Sequence, residues 1–453
     1  LTVIELDRDA PLDPHPASRP PLAAYRRAGL LITLVLLAVL GGAAPAAGLG
    51  WRYLGAVPAA AAPDGPIALA GGRLYTVDTT GTRPAVTAWS PDRPPARLWT
   101  TRVPVGDDPG VVPAGSVTIR QAGEVVLLTA GVATTAVDAA TGRIRWSSPI
   151  AVSVLPGSGA GVTVDRVFRA GTEYDQESGD PGPLYFSATG EPHTEPPLRT
   201  EVRGLDLADG RTLWTVTPGG SVTVDVPAGD EPAVLITSSR LLTLVSGRTG
   251  EVLRETALPQ LGGHGPASSS LLGDVALVSY REPSRQVAFQ AHTLRQLWSR
   301  ATRDAELLAD PADCQGVLCD GGHGDLRVLD PGTGAARWRV REDVDLALRA
   351  GYVLETDAAS GEPVRLTDPH TGASRVDLTG WTAEVAGAAD QPLLLRREEG
   401  RGGQAFAVVV PGHAEVRRLG VAGAGLGDCD ADGHYLVCRS AGGGDLRIWA
   451  YRI

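Results

Sequence analysis

Thr134-Thr135-Ala136-Val137-Asp138-Ala139-Ala140-Thr141-Gly142-Arg143-Ile144-Arg145-Trp146 ends a unit that the chain repeats. Its skeleton, Ala136-x-Asp138-x-x-Thr141-Gly142-x-x-x-Trp146, returns as Asp206-x-x-Asp209-Gly210-x-x-x-Trp214 and as Asp330-x-x-Thr333-Gly334-x-x-x-Trp338. A worn copy, Asp368-x-x-Thr371-Gly372, has Val376 where the others have Trp. Each copy reads as an apolar strand (124–129 in the first), a turn, an alternating strand ending in Asp, a tight turn and a last strand carrying the Trp. Gly supplies the positive φ that the turn needs, and the Asp side chain can bond turn amides. The Trp is placed to pack flat against the next unit and bury a large surface. Repetition at a fixed pitch means one supersecondary unit stacked on itself.

Working outward, the Trp positions act as a ruler. Trp99, Trp146 and Trp214 are followed by a worn unit, 246–254, with Arg254 in the Trp position. Trp298 follows a turn that reads as shortened, 292–298; then come Trp338, Val376 and a last fit at 409–416. Four strands at this pitch make one propeller blade. The 57 Gly and 35 Pro suit many short strands joined by tight turns. The expectation is all-β: a single β-propeller of four-stranded blades, eight favoured and seven possible, preceded by one transmembrane helix. The final strand pair, 434–438 and 446–453, lacks a closing turn and a Trp. A strand from the N-terminal side would complete it and leave the ring no long free edge.

The membrane expectation rests on 28–50, which is uncharged. At about 1.5 Å per residue the segment crosses a bilayer core. Arg19, Arg26 and Arg27 precede it and Arg52 follows, so the positive-inside bias puts residues 1–27 in the cytoplasm and the bulk outside. A cleaved signal peptide ending near Ala46, with secretion of the rest, is the other reading. The domain expectation is a disordered cytoplasmic tail (1–27), the helix (28–50), an Ala/Pro-rich stalk (51–66) and the propeller (67–453), with an acidic loop insertion at 169–201.

The four Cys fit an oxidising compartment. Four Cys allow three pairings, and the parallel placement of Cys314 and Cys319 with Cys429 and Cys438, each pair flanking a turn, favours two local hairpin clips. A zinc site is the alternative, but the spacing is not CxxC. The chain has no Lys, Asn or Met, as a GC-rich genome would give, and without Asn there is no N-linked glycosylation. A net charge of −11 disfavours nucleic acid and anionic lipid as partners.

The repeated phrase resembles the tryptophan-docking repeat of propellers similar to pyrroloquinoline quinone (PQQ) enzymes. The resemblance covers roughly 65–453. Such propellers include quinoprotein dehydrogenases and the lipoprotein subunit of the outer-membrane protein assembly machinery, and many membrane-anchored bacterial members have no assigned activity. The dehydrogenases use a vicinal Cys-Cys pair over the quinone and a Ca²⁺ held by Glu, Asn and Asp. Here no two Cys are adjacent and Asn does not occur. The resemblance therefore implies a non-enzymatic extracytoplasmic propeller, binding or scaffolding envelope or secreted proteins without a cofactor. Alternatives are a PQQ-dependent dehydrogenase and a sensor that binds a small ligand.

The residues expected to dock blades are Asp138, Gly142, Trp146, Asp206, Gly210, Trp214, Trp298, Asp330, Gly334 and Trp338; none is expected to be catalytic. Asp428-x-Asp430-x-Asp432-Gly433 resembles the start of a Ca²⁺ loop, but Arg439 occupies the twelfth position, where an acid is needed. A polar turn closed by a Cys429–Cys438 clip is the plainer reading. The 169–201 insertion, with Glu173, Asp175, Glu177, Asp180, Glu191 and Glu195, is a partner-contact loop or a solvated excursion. The eight His show no HExxH, and no GxSxG elbow or phosphate loop is present.

Overall fold

The computed structural model describes residues 50–59, 65–104, 117–175, 184–302, 314–321, 325–383 and 391–453. Residues 1–27 and nearly all of the expected membrane segment lie outside them. Among the described residues no helix is long and apolar enough to cross a membrane.

The described chain is a β-propeller of nine blades, not eight or seven. Numbered along the chain, blades 1 to 8 fall at 67–102, 117–148, 153–216, 223–257, 268–301, 319–339, 344–377 and 382–422. Blade 9 takes three strands from 426–450, and its outermost strand is Arg52–Pro58, antiparallel to Asp445–Ala450. The stalk expected at 51–66 is thus a structural strand over most of its described length. Its residues alternate: Leu54 and Val57 are buried against Leu74, Leu446 and Ile448. The pitch could not count this blade, because its outer strand stands at the other end of the chain.

The core is divided in the same way. Nine clusters of buried side chains lie one at each joint between successive blades, and the last joins blade 9 to blade 1. Strands that are apolar on both faces, such as Ala233–Thr237, feed two clusters: Leu235 enters the joint with blade 5, Val234 and Ile236 the joint with blade 3.

Blade 6 departs from four strands. It keeps three, and Cys314–Gln315 pairs in parallel with Val344–Arg349, the innermost strand of blade 7. The Cys314–Cys319 disulfide ties that segment back to blade 6. Blade 3 is interrupted between Ala160–Val167 and Arg199–Asp206 by the expected insertion. The insertion carries a small hairpin, Tyr185–Phe186 against Pro192–His193. The Phe168 and His193 rings stack at 3.8 Å, and Thr172 Oγ1 is 3.2 Å from His193 Nδ1. Glu177 and Asp180 lie outside the described residues.

Candidate functional site

In each intact copy of the repeat the Asp gathers the turn around itself. Asp138 Oδ1 accepts from the amides of Ala140 and Thr141 and from the Thr141 hydroxyl, while Oδ2 accepts from Arg145. Asp330 does the same with Gly332, Thr333 and Arg337, and Asp368 with His370, Thr371 and Arg375. The Arg beside each of these carboxylates holds its pKa below the ordinary value, helped by the Thr or turn amides. Asp206 caps the amide of Ala208. The sequence reading missed these arginines, one residue before the Trp position.

The indoles serve the joints. Trp99 Nε1 donates to Ala139 O at 2.9 Å and Trp146 to Leu207 O at 2.8 Å. Trp214 donates to Gly247 O at 3.0 Å, Trp298 to Pro331 O at 2.9 Å and Trp338 to Pro369 O at 3.3 Å. Every acceptor is a carbonyl in the tight turn of the following blade. Each ring also covers that turn's glycine. A Cβ on Gly142 would come within 2.4 Å of Trp99, and on Gly210, Gly250, Gly334 and Gly372 within 2.6–2.8 Å of the preceding blade's indole. These glycines are therefore fixed twice, by positive φ and by the ring above.

Strand register identifies the equivalent pair at every joint. The Trp position lies opposite Ala88, Ala136, Gly204, Ala288 or Val328, next to a bulge. By the same register Arg254 holds it in blade 4 and Val376 in blade 7. The turn after Arg254 has Leu294, buried at φ 54, where a glycine stands elsewhere. That turn has the same length as its neighbours and is not shortened. Val376 packs in one cluster with Val416.

At ring closure the pair is inverted. The register puts Gly420, not Val416, in the Trp position of blade 8, opposite Phe406. The large ring comes from the turn side as Trp51, whose indole lies within 2.3 Å of where a Gly420 Cβ would be and stacks on Phe406 and Trp449. One joint further, Gly55 holds the position and Pro95 supplies the bulk, at 2.7 Å from a built Cβ. The sequence carried no signal for this inversion, because Trp51 lies outside the repeat pitch.

The three aspartates of the candidate Ca²⁺ loop have separate partners. Asp430 Oδ2 accepts from Leu69 N of blade 1 at 2.7 Å; burial raises its pKa while that bond opposes the rise. Asp432 Oδ1 accepts from the amides of His434 and Tyr435, and Asp428 is exposed. Among the described residues no group of three or more His, Cys, Asp or Glu could hold a metal ion. Cys429 and Cys438 face each other across strands of blade 9 and are bonded, with Cα atoms 4.1 Å apart.

Residues 198–365 match the family model described as PQQ_2, outer membrane protein assembly factor BamB. Comparison with curated proteins finds no match. Among solved structures, the chain is similar to BamB from Moraxella catarrhalis, with 14% identity and a TM-score of 0.35 over 87% of this chain and 98% of that one. It is also similar to a europium-containing methanol dehydrogenase, with 12% identity and a TM-score of 0.34 over 88% and 93%. A computationally designed protein, Ika8, gives 13% identity and a TM-score of 0.40 over 88% and 99%. The blades are those of a PQQ-like β-propeller.

Proposed function

We propose that this protein is a non-enzymatic propeller that scaffolds protein partners at the cell envelope. In this reading residues 28–50 form a single-pass anchor, the N-terminus is cytoplasmic and the propeller is extracytoplasmic. The observation that carries the reading is the match of 198–365 to the model of an outer-membrane assembly factor. The spent motif supports it: the conserved-looking Asp, Gly and Trp of each repeat are engaged within turns and between blades, leaving none of them for a substrate. The cysteines, which a quinoprotein dehydrogenase would use as a vicinal pair, are two separate clips in blades 6 and 9.

Two experiments test the reading. Proximity labelling from the full chain in intact cells should recover envelope proteins reproducibly; recovery of cytosolic proteins alone would overturn it. Incubation of the purified full chain with PQQ, Ca²⁺ and an electron acceptor should give no oxidation of alcohols or sugars. Turnover above the level without PQQ would instead make it a dehydrogenase.

A further inference from the structure

The insertion in blade 3 does not lie loose on the surface. Its hairpin turn, at Ser187–Thr189, folds back to the groove between the outer strand of blade 2 and the face of blade 3, and together they enclose a cavity of about 350 Å³. That is the lower end of the range for small-molecule sites, enough for one sugar-sized ring. The turn is held by its own bonds: Glu191 accepts from the Ser187 and Thr189 hydroxyls, and the Glu191 amide donates to Ser187 Oγ.

Three kinds of group line the cavity. Trp146 supplies an aromatic wall, its Nε1 already committed to Leu207 O. Ser147, Thr163 and Thr212 supply hydroxyls, which both donate and accept. Asp165 and Arg166 supply charge, but unequally. Asp165 is paired with Arg203 at 3.0 Å, and Arg203 also holds Glu201, which Arg199 reaches at 2.9 Å. These four groups are neutral together. Arg166 is left over: it lines this cavity and a second one of about 260 Å³ beneath Leu184–Phe186, and no described residue pairs with it.

We propose that this cavity is a binding site for an acidic saccharide unit. The hydroxyls match a polyol ring, the indole wall suits its C–H face and the surplus guanidinium of Arg166 takes the carboxylate. The site belongs to one joint and one insertion, so it stands independently of the scaffolding reading.

The test is calorimetric titration of the full chain with sodium D-glucuronate, D-glucose and sodium acetate. Glucuronate should bind at least about tenfold more tightly than either control, since only it engages both the hydroxyls and the guanidinium. Arg166→Gln should remove that preference while melting with the parent, because Arg166 has no partner to lose. Ser147→Trp, which fills the cavity, should abolish binding, and glucuronate should slow amide exchange across 185–193. Digalacturonate as a further probe separates a free sugar from a chain end; either one binding ahead of glucose upholds the site. Equal binding of glucuronate and glucose, indifference to Arg166→Gln, or no binding by either uronate would overturn it.

Discussion

A glycine under an indole is the smallest unit of this fold. Gly142 has φ +69 and Trp99 directly above it, whereas Gly412 has φ +77 and open space around its Cα. Gly142→Ala is expected to lose about 2–4 kcal/mol, strain and clash together, and Gly412→Ala about 1 kcal/mol, strain alone. Denaturant titration of the two variants measures the difference. The inverted joint predicts a coupling. Trp51→Ala should destabilise by about 3–5 kcal/mol, and Gly420→Ala should be costly in the parent yet nearly free in the Trp51→Ala background. Additive effects in that double-mutant cycle would show that the two residues do not share a site. The Asp side chains give a pH dependence. Asp138, Asp330 and Asp368 have folded pKa values below the ordinary 3.8, so their contribution is present above that value and lost as pH falls through it. The parent's melting temperature should fall on acidification, and the triple Asp→Asn variant should show a shallower fall. At this scale the sequence spoke clearly wherever the phrase was intact, since Asp, Gly and Trp stand at fixed spacing. It was silent at Gly420 and Gly55, where a small residue has a large partner supplied from another part of the chain.

Strands show a different balance between what was legible and what was not. The apolar runs and alternating strands of blades 1 to 5, 7 and 8 follow from pattern alone, and the ladder of blade 2 pairs them in that order. Arg52–Pro58 was read as a stalk because its buried set is only Leu54 and Val57, with no repeat phrase nearby. Its partner strand is nearly 400 residues away, so no local pattern could reveal the pairing. One element carries a buried charge. Glu355 is fully buried and accepts two bonds, both 2.9 Å, from Arg365 on the next strand of blade 7. Glu355→Ala leaves the half-buried guanidinium without its acceptor and should cost about 3–5 kcal/mol, readable by urea titration. An apolar replacement of both residues should recover most of that loss. An unchanged midpoint for Glu355→Ala would show that water reaches Arg365 freely.

For the whole molecule, nine joints and nine blades form a closed cycle in which the ends of the chain meet. Tyr451-Arg452-Ile453 and Trp51 occupy the place that a continuous tight turn fills in other blades, and Gly50 lies against Arg452. The count of blades was illegible from the pitch for that reason, while their type was plain. This arrangement has a mechanical meaning. Tension applied to the chain at Gly50 reaches the ring only through Arg52–Pro58 and the six residue pairs that hold it to blade 9. The outer strand of that blade is a mechanical fuse. In force spectroscopy with the handle at Gly50, the first rupture should release a length corresponding to the segment before blade 1 and leave the other blades folded. A first rupture that unravels the ring as one piece would mean that closure, not the strand, bears the load. If residues 28–50 are set in a membrane, a propeller pulled by its partners would yield there first.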